Sequence, residues 1–217
     1  METINKEKLI IGITGGIGSG KTTFANLLEK KGFTVIYTDV VAKEVINRSK
    51  KVQFQLMENF GMHTFINGEY NAEYIAFLVF SDKNRLYTLN KIVIPPVIDE
   101  IIKKIEAVDN TNRLVFVESA LIYELELEKG FDYIISVSAK LENRQQRISE
   151  HFEKRIKSQI TQEEKNHLAD FIIENDKDIT ELEKAADSLI GILELLPNRV
   201  YDEDNESEEE TDNEQCE

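Results

Sequence analysis

The chain is poor in cysteine, in proline, in basic residues and in long apolar runs. Cys216 is its only cysteine, so an intrachain disulfide is excluded and a reducing compartment, the cytoplasm, is expected. The three prolines fall at Pro95-Pro96 and Pro197, read as a helix break and restart and as the end of a last helix. No stretch approaches the ~20 apolar residues of a membrane span. The run Leu9 to Ile13 is too short for a signal segment. Lys and Arg total 26 against 41 Asp and Glu, a formal charge of -15, which argues against a general binder of nucleic-acid backbones. A small basic pocket for a phosphorylated ligand stays compatible with it.

The charge is uneven. Residues Asp202 to Glu217 hold ten acids and no base, leaving 31 acids against 26 bases elsewhere. That tail has too little apolar material to pack and is expected to be disordered, either a solubilising extension or a docking segment for a basic partner. The other 201 residues contain enough apolar material for a core. Their length suits one domain carrying an insertion. His63, His151 and His167 are scattered and suggest no metal site.

Apolar runs alternate with helical patterns. Strands are expected at Leu9 to Ile13, Phe33 to Tyr37, Leu114 to Val117, Tyr133 to Val137 and Phe171 to Ile173. Helices are expected from about Lys21 to Lys31, over 41 to 60 and 72 to 107 with a break at Pro95, from Leu141 to Ser158, from Gln162, and over 178 to 196. Near-continuous apolar strands between helices signal a parallel sheet covered on both faces. The segment between the second and third strands is too long for one crossover and is expected to be a helical insertion.

Gly15-Gly16-Ile17-Gly18-Ser19-Gly20-Lys21-Thr22 fits G-x-x-x-x-G-K-[ST] between a strand and a helix. Glycines let successive N–H groups turn inward around phosphates, and the helix N-terminus adds partial positive charge. Lys21 is placed to reach the β- and γ-phosphates, and the Thr22 hydroxyl to ligate Mg²⁺. A nucleoside triphosphate with Mg²⁺ is therefore expected. No Asp is followed three residues later by Gly. Asn90-Lys91-Ile92-Val93 and Asn175-Asp176-Lys177-Asp178 both fail the base-recognition pattern of GTPases. A second glycine-rich signature, needed by transporter ATPases, is also missing. What remains is a kinase with a small acceptor.

On the acceptor side, Asp39 follows the second strand, on the edge where parallel strands present ligands. It suits a base for the acceptor hydroxyl or, equally, a helix N-cap. Glu118 closes the third strand, as at the acidic end of a Walker B strand, and is a candidate for a Mg²⁺-bound water or simply a solvated strand end. Arg144 and Arg147 share a helix face, either to stabilise a transferring phosphoryl group or to face solvent.

Together these residues resemble the dephospho-CoA kinase family. Ile11 to Thr23, IGITGGIGSGKTT, is similar to its opening. Asp39 running into Val40-Val41-Ala42-Lys43 and the stretch Glu118 to Glu124 are similar to its strand ends, and Arg144 and Arg147 fall on its lid-helix arginines. Gln159 to Lys165 followed by Ala169 to Asn175 resembles its closing segment. The resemblance implies a P-loop kinase core of five parallel strands over 1–201, with a helical CoA-binding insertion at about 41–107 and a lid at about 148–160. It implies transfer of the ATP γ-phosphoryl to the ribose 3′-hydroxyl of dephospho-CoA, the last step of coenzyme A synthesis. Asp39 would be the base, with Lys21, Arg144 and Arg147 stabilising the phosphoryl group. Gly16, Ile17, Gly18, Ser19, Gly20, Lys21, Thr22 and Thr23 would hold the nucleotide, Asn175 would lie near its adenosine, and Thr22 and Glu118 would serve the metal. No nucleic-acid or membrane partner is implied, and a monomer or small homo-oligomer is expected.

Three departures stand out. Ile94-Pro95 replaces a usual His-Pro pair. The stretch Asn71 to Ala76 lacks an expected arginine. The lid is about seven residues short, and its usual Arg-Asp pair falls on His151-Phe152 or is lost. They leave a kinase with another acceptor, or a diverged ATP- or CoA-binding protein, as the alternatives.

Overall fold

The computed structural model describes residues 8–80, 82–109, 111–147 and 159–199. The acidic tail and most of the expected lid lie outside them. The central sheet has five parallel strands in the order β2-β5-β1-β6-β7, formed by β1 (Leu9–Thr14), β2 (Thr34–Tyr37), β5 (Leu114–Glu118), β6 (Tyr133–Ser138) and β7 (Phe171–Glu174). All six residues of β1 are buried, as expected for a central strand covered on both faces.

Side chains alternate between two cores. Leu9, Ile11 and Ile13 of β1, with Leu114 and Phe116 of β5, pack with helix α1 (Lys21–Lys30) and the last helix, α8 (Ile179–Leu193). Ile10, Val115 and Val117 face the opposite way, with Ile36 of β2. They meet α2 (Thr38–Arg48), α3 (Lys50–Phe60), α4 (Ala72–Val79) and α5 (Lys83–Glu106). Two shorter helices, α6 (Leu141–Gln146) and α7 (Gln162–Leu168), lie on the β6 side of the phosphate loop. Among the described residues no helix is long and apolar enough to cross a membrane.

The structure corrects three local expectations. Pro95 and Pro96 do not break their helix, because α5 runs through them. Two prolines remove two backbone hydrogen bonds and ordinarily kink or end a helix. Here Ile92 and Val97, on either side of the pair, are both buried in the core, and Pro95 lies on the exposed side. The last turn is held from afar: Lys8 Nζ donates to the Ile105 and Glu106 carbonyls at 3.0 and 3.4 Å. Second, α2 begins at Thr38, directly from β2, so Asp39 sits inside the first helical turn and Tyr37 occupies the N-cap. Third, the insertion contains a hairpin of β3 (Phe65–Ile66) and β4 (Glu69–Tyr70). Its turn is Asn67-Gly68 with φ of 52° and 84°, the doubly left-handed turn that Asn-Gly favours. The helix expected over Leu141 to Ser158 is present from Leu141 to Gln146, and 148–158 fall outside the described residues.

Candidate active site

Parallel strands place all their carboxyl ends on one edge, and the candidate residues gather there. β1 runs into the phosphate loop, β2 into Asp39, β5 ends on Glu118 and β7 leads into Asn175. Ile13, Glu118 and Tyr37 are in register across β1, β5 and β2. The sequence therefore aligns Glu118 beside both the loop and the start of α2.

The loop itself is gripped by side chains. Gly20, the N-cap of α1, is left-handed at φ 94°. Any Cβ there would overlap the Asn175 amide nitrogen. That amide donates to the Ser19 carbonyl at 2.9 Å. Arg144 is buried, and its Nε donates to the Ile17 carbonyl at 2.9 Å. Arg147, at the C-cap of α6, donates to the carbonyls of Gly18 and Ser19 at 3.2 and 3.3 Å and to that of Asn175 at 2.9 Å. Both arginines reach across to the loop's backbone, Arg144 buried and Arg147 exposed.

Lys21 is 9% exposed, and its Nζ donates to the Gly16 carbonyl at 3.3 Å. Burial pulls its ammonium below the usual lysine value, against the pull of Glu118 and Asp39. Glu118 is 8% exposed, and burial pushes its carboxyl up, with Lys21 opposing and Asp39 adding to the rise. Asp39 is exposed and makes no hydrogen bond among the described residues. The N-cap alternative for Asp39 therefore falls: Tyr37 is the N-cap of α2, and the Asp39 carboxylate caps nothing. Thr22 and Thr23, on the first turn of α1, are exposed.

The site fits a nucleotide. The first N–H groups of α1 have no intrahelical acceptors. The buried Ser19 and Thr14 hydroxyl oxygens have no hydrogen-bond partner. It also fits Mg²⁺ in the manner that ion prefers, one or two protein oxygens plus phosphates. Thr22 and Glu118 are the candidates for such oxygens, and no group of three His, Cys, Asp or Glu that could hold a metal ion exists among the described residues.

Sequence reasoning gave no role to Gln162 or Lys165. Gln162 Oε1 accepts the Gly16 N–H at 2.8 Å. Lys165 is fully buried and bonds the Ala120 carbonyl and Glu124 Oε1 at 2.6 and 2.7 Å. A polar residue every third or fourth position of a short helix was the available signal, and it reads equally well as an exposed face.

A sequence model of dephospho-CoA kinases matches residues 9–181. The chain belongs to the dephospho-CoA kinase family. A dephospho-CoA kinase of Fusobacterium nucleatum is 35% identical over 184 residues, covering 81% of this chain and 94% of the relative. The crystal structure of TT1252 from Thermus thermophilus superposes with a TM-score of 0.76 at 32% identity, over 87% of this chain and 99% of that one. Dephospho-CoA kinase from Campylobacter jejuni, at 22% identity, shares the fold with a TM-score of 0.64 over 85% and 96% of the two chains. Family membership makes the chain a phosphotransferase with a nucleotide-binding P-loop core.

Proposed function

We propose that the chain phosphorylates the ribose 3′-hydroxyl of dephospho-CoA with the γ-phosphoryl of ATP, giving coenzyme A in the cytoplasm. The observation that carries this is the meeting of the gripped phosphate loop, buried Lys21 and unbonded Asp39 on one sheet edge of a dephospho-CoA kinase family chain. Bound Mg²⁺ would neutralise charge on the β- and γ-phosphates. Thr22 and Glu118 are the residues that would hold it or its water.

The loop's N–H groups and the start of α1 bind and orient the triphosphate. Lys21, held at Gly16 and poorly solvated, gains a strong partner when phosphate oxygens arrive, so its charge is spent on the transferring group. Arg144 bonds the loop through Nε alone, leaving its terminal amines to reach toward a phosphoryl oxygen. Arg147 is committed to loop carbonyls and fixes their geometry. Asp39 accepts the proton of the 3′-hydroxyl as the new O–P bond forms and ADP leaves. The segment from α2 to α5 would hold the acceptor.

The test is CoA formation from dephospho-CoA and MgATP, followed by mass. The wild type should turn over, and Lys21→Ala should lose on the order of 10²–10³-fold in kcat. ATP binding without CoA formation would transfer the function to another acceptor or to a binding protein.

A further inference from the structure

Gly16 is held at both of its backbone polar atoms by side chains. Its N–H donates to Gln162 Oε1, and its carbonyl accepts from Lys21 Nζ. Gln162 is 5% exposed, and its orientation is fixed from behind: Nε2 donates to Ser136 Oγ at 3.1 Å and to Asn166 Oδ1 at 2.8 Å. Rotating the amide by half a turn would set N–H against N–H at Gly16, so the network admits one orientation. The helix that carries Gln162 is itself pinned. Thr161 and Glu164 form a capping box at its start. The Ile160 N–H donates to Glu124 Oε1 at 3.1 Å, the same oxygen that Lys165 bonds. Lys165 also bonds Ala120, so α7 is tied to the loop that begins just after Glu118.

The geometry points to Gln162 as a positioning residue that acts through Gly16. It holds the phosphate loop, and with it the Lys21 ammonium, in the nucleotide-receiving arrangement before any nucleotide arrives. A neutral amide suits the task. It accepts from the loop without placing a negative charge beside the phosphates, and its donor end is satisfied within the fold. Loss of this tether would let the loop sample other shapes, and nucleotide binding would then have to order it.

The inference rests on the loop being the nucleotide site, and its test needs no acceptor. The Kd for MgATP is measured by calorimetry, and the thermal midpoint separately, for wild type, Gln162→Met and Leu56→Ala. Gln162→Met keeps the length and removes the tether. Its Kd should rise about tenfold, the scale of one buried hydrogen bond. Leu56→Ala truncates a fully buried side chain of α3, outside the network. It should lower the midpoint and leave the Kd as in wild type. An unchanged Kd in Gln162→Met, or an equal rise in Leu56→Ala, overturns the assignment. Should Gln162→Met fail to fold, Gln162→Asn keeps an amide one methylene too short to reach Gly16. It must show the same loss of affinity, and wild-type affinity there overturns the assignment as well. A wild type that binds MgATP without making CoA sinks the proposed reaction alone. One that does not bind MgATP sinks both.

Discussion

The nucleotide edge and the insertion are built to opposite tolerances. At the edge, a Cβ added to Gly16, Gly18 or Gly20 would overlap Arg144 or Asn175. In the insertion, a Cβ on Gly61 meets nothing nearer than 3.7 Å and one on Gly68 meets nothing at all. The aromatic rings differ in the same way. Phe24 and Phe116 beneath the loop are fully buried, whereas Phe77, Tyr87 and Phe54 of the insertion are 78%, 68% and 64% exposed. One half is over-determined by its own contacts. The other keeps large apolar side chains facing outward, as a surface for a bulky acceptor would. Phosphate chemistry needs donors fixed in advance, since their reorganisation would add to the barrier. An acceptor with a long arm needs area rather than aimed dipoles.

The sharpest break in this comparison should come at Asp39, which is exposed and makes no hydrogen bond among the described residues. Asp39→Asn removes the proposed proton acceptor and breaks no hydrogen bond. We expect kcat to fall on the order of 10²–10⁴-fold with the thermal midpoint unchanged. A large fall in the midpoint would mean that the carboxylate supports the first turn of α2 rather than the reaction.

The sheet and the phosphate loop were legible because their signals are local. The continuous apolar run at Leu9 and the glycine pattern from Gly15 each dictate a conformation with few alternatives. What was lost depended on contacts distant in sequence. Arg144 reads equally as a phosphoryl-stabilising or a solvent-facing residue, and its burial shows only once α6 is laid against Ile17, which lies 127 residues away. The run of α5 through Pro95-Pro96 depends on tertiary packing of Ile92 and Val97, which local propensity does not contain. The hairpin is a different failure. Asn67-Gly68 between Phe65-Ile66 and Glu69-Tyr70 is a strong local turn signal, and only the helical character of the surrounding insertion hid it.

Gly20→Ala tests how tightly the edge is determined. The substitution forces a left-handed alanine at φ 94° and drives a methyl group into the Asn175 amide. The expected cost is about 1–3 kcal/mol in chemical denaturation. Gly68→Ala carries a comparable backbone penalty at φ 84° without a steric one, so it should cost less. Equal costs would show that backbone strain sets both and that the overlap with Asn175 adds nothing at Gly20.

Lys21 and Glu118 give the edge a pH dependence of its own. Folding raises the Glu118 carboxyl above its usual 4.5 through burial. Its contribution to stability is therefore full below that value and is lost as pH rises through the folded value. Folding lowers Lys21 from its usual 10.5, again through burial. Its contribution is full above 10.5 and is lost as pH falls through the folded value. Where both groups are charged they are poorly solvated, and their mutual attraction offsets only part of the cost. The double variant Lys21→Met, Glu118→Gln should thus be inactive yet more stable at neutral pH when free of ligand, by about 1 kcal/mol. Glu118→Gln alone should flatten the decline in ligand-free stability as pH rises from 4.5. A wild-type decline retained in that variant would locate the titrating carboxyl elsewhere.

The smallest effect on stability is expected in the insertion. Phe77 is mostly solvated on α4, so Phe77→Ser removes little buried area and should change stability by no more than about 0.5 kcal/mol. If the exposed rings meet the acceptor, the same change raises KM for dephospho-CoA while leaving KM for ATP untouched. Those two Michaelis constants separate the halves of the molecule directly. A shift in the ATP constant would couple α4 to the nucleotide edge, and an unchanged acceptor constant would remove Phe77 from the acceptor surface.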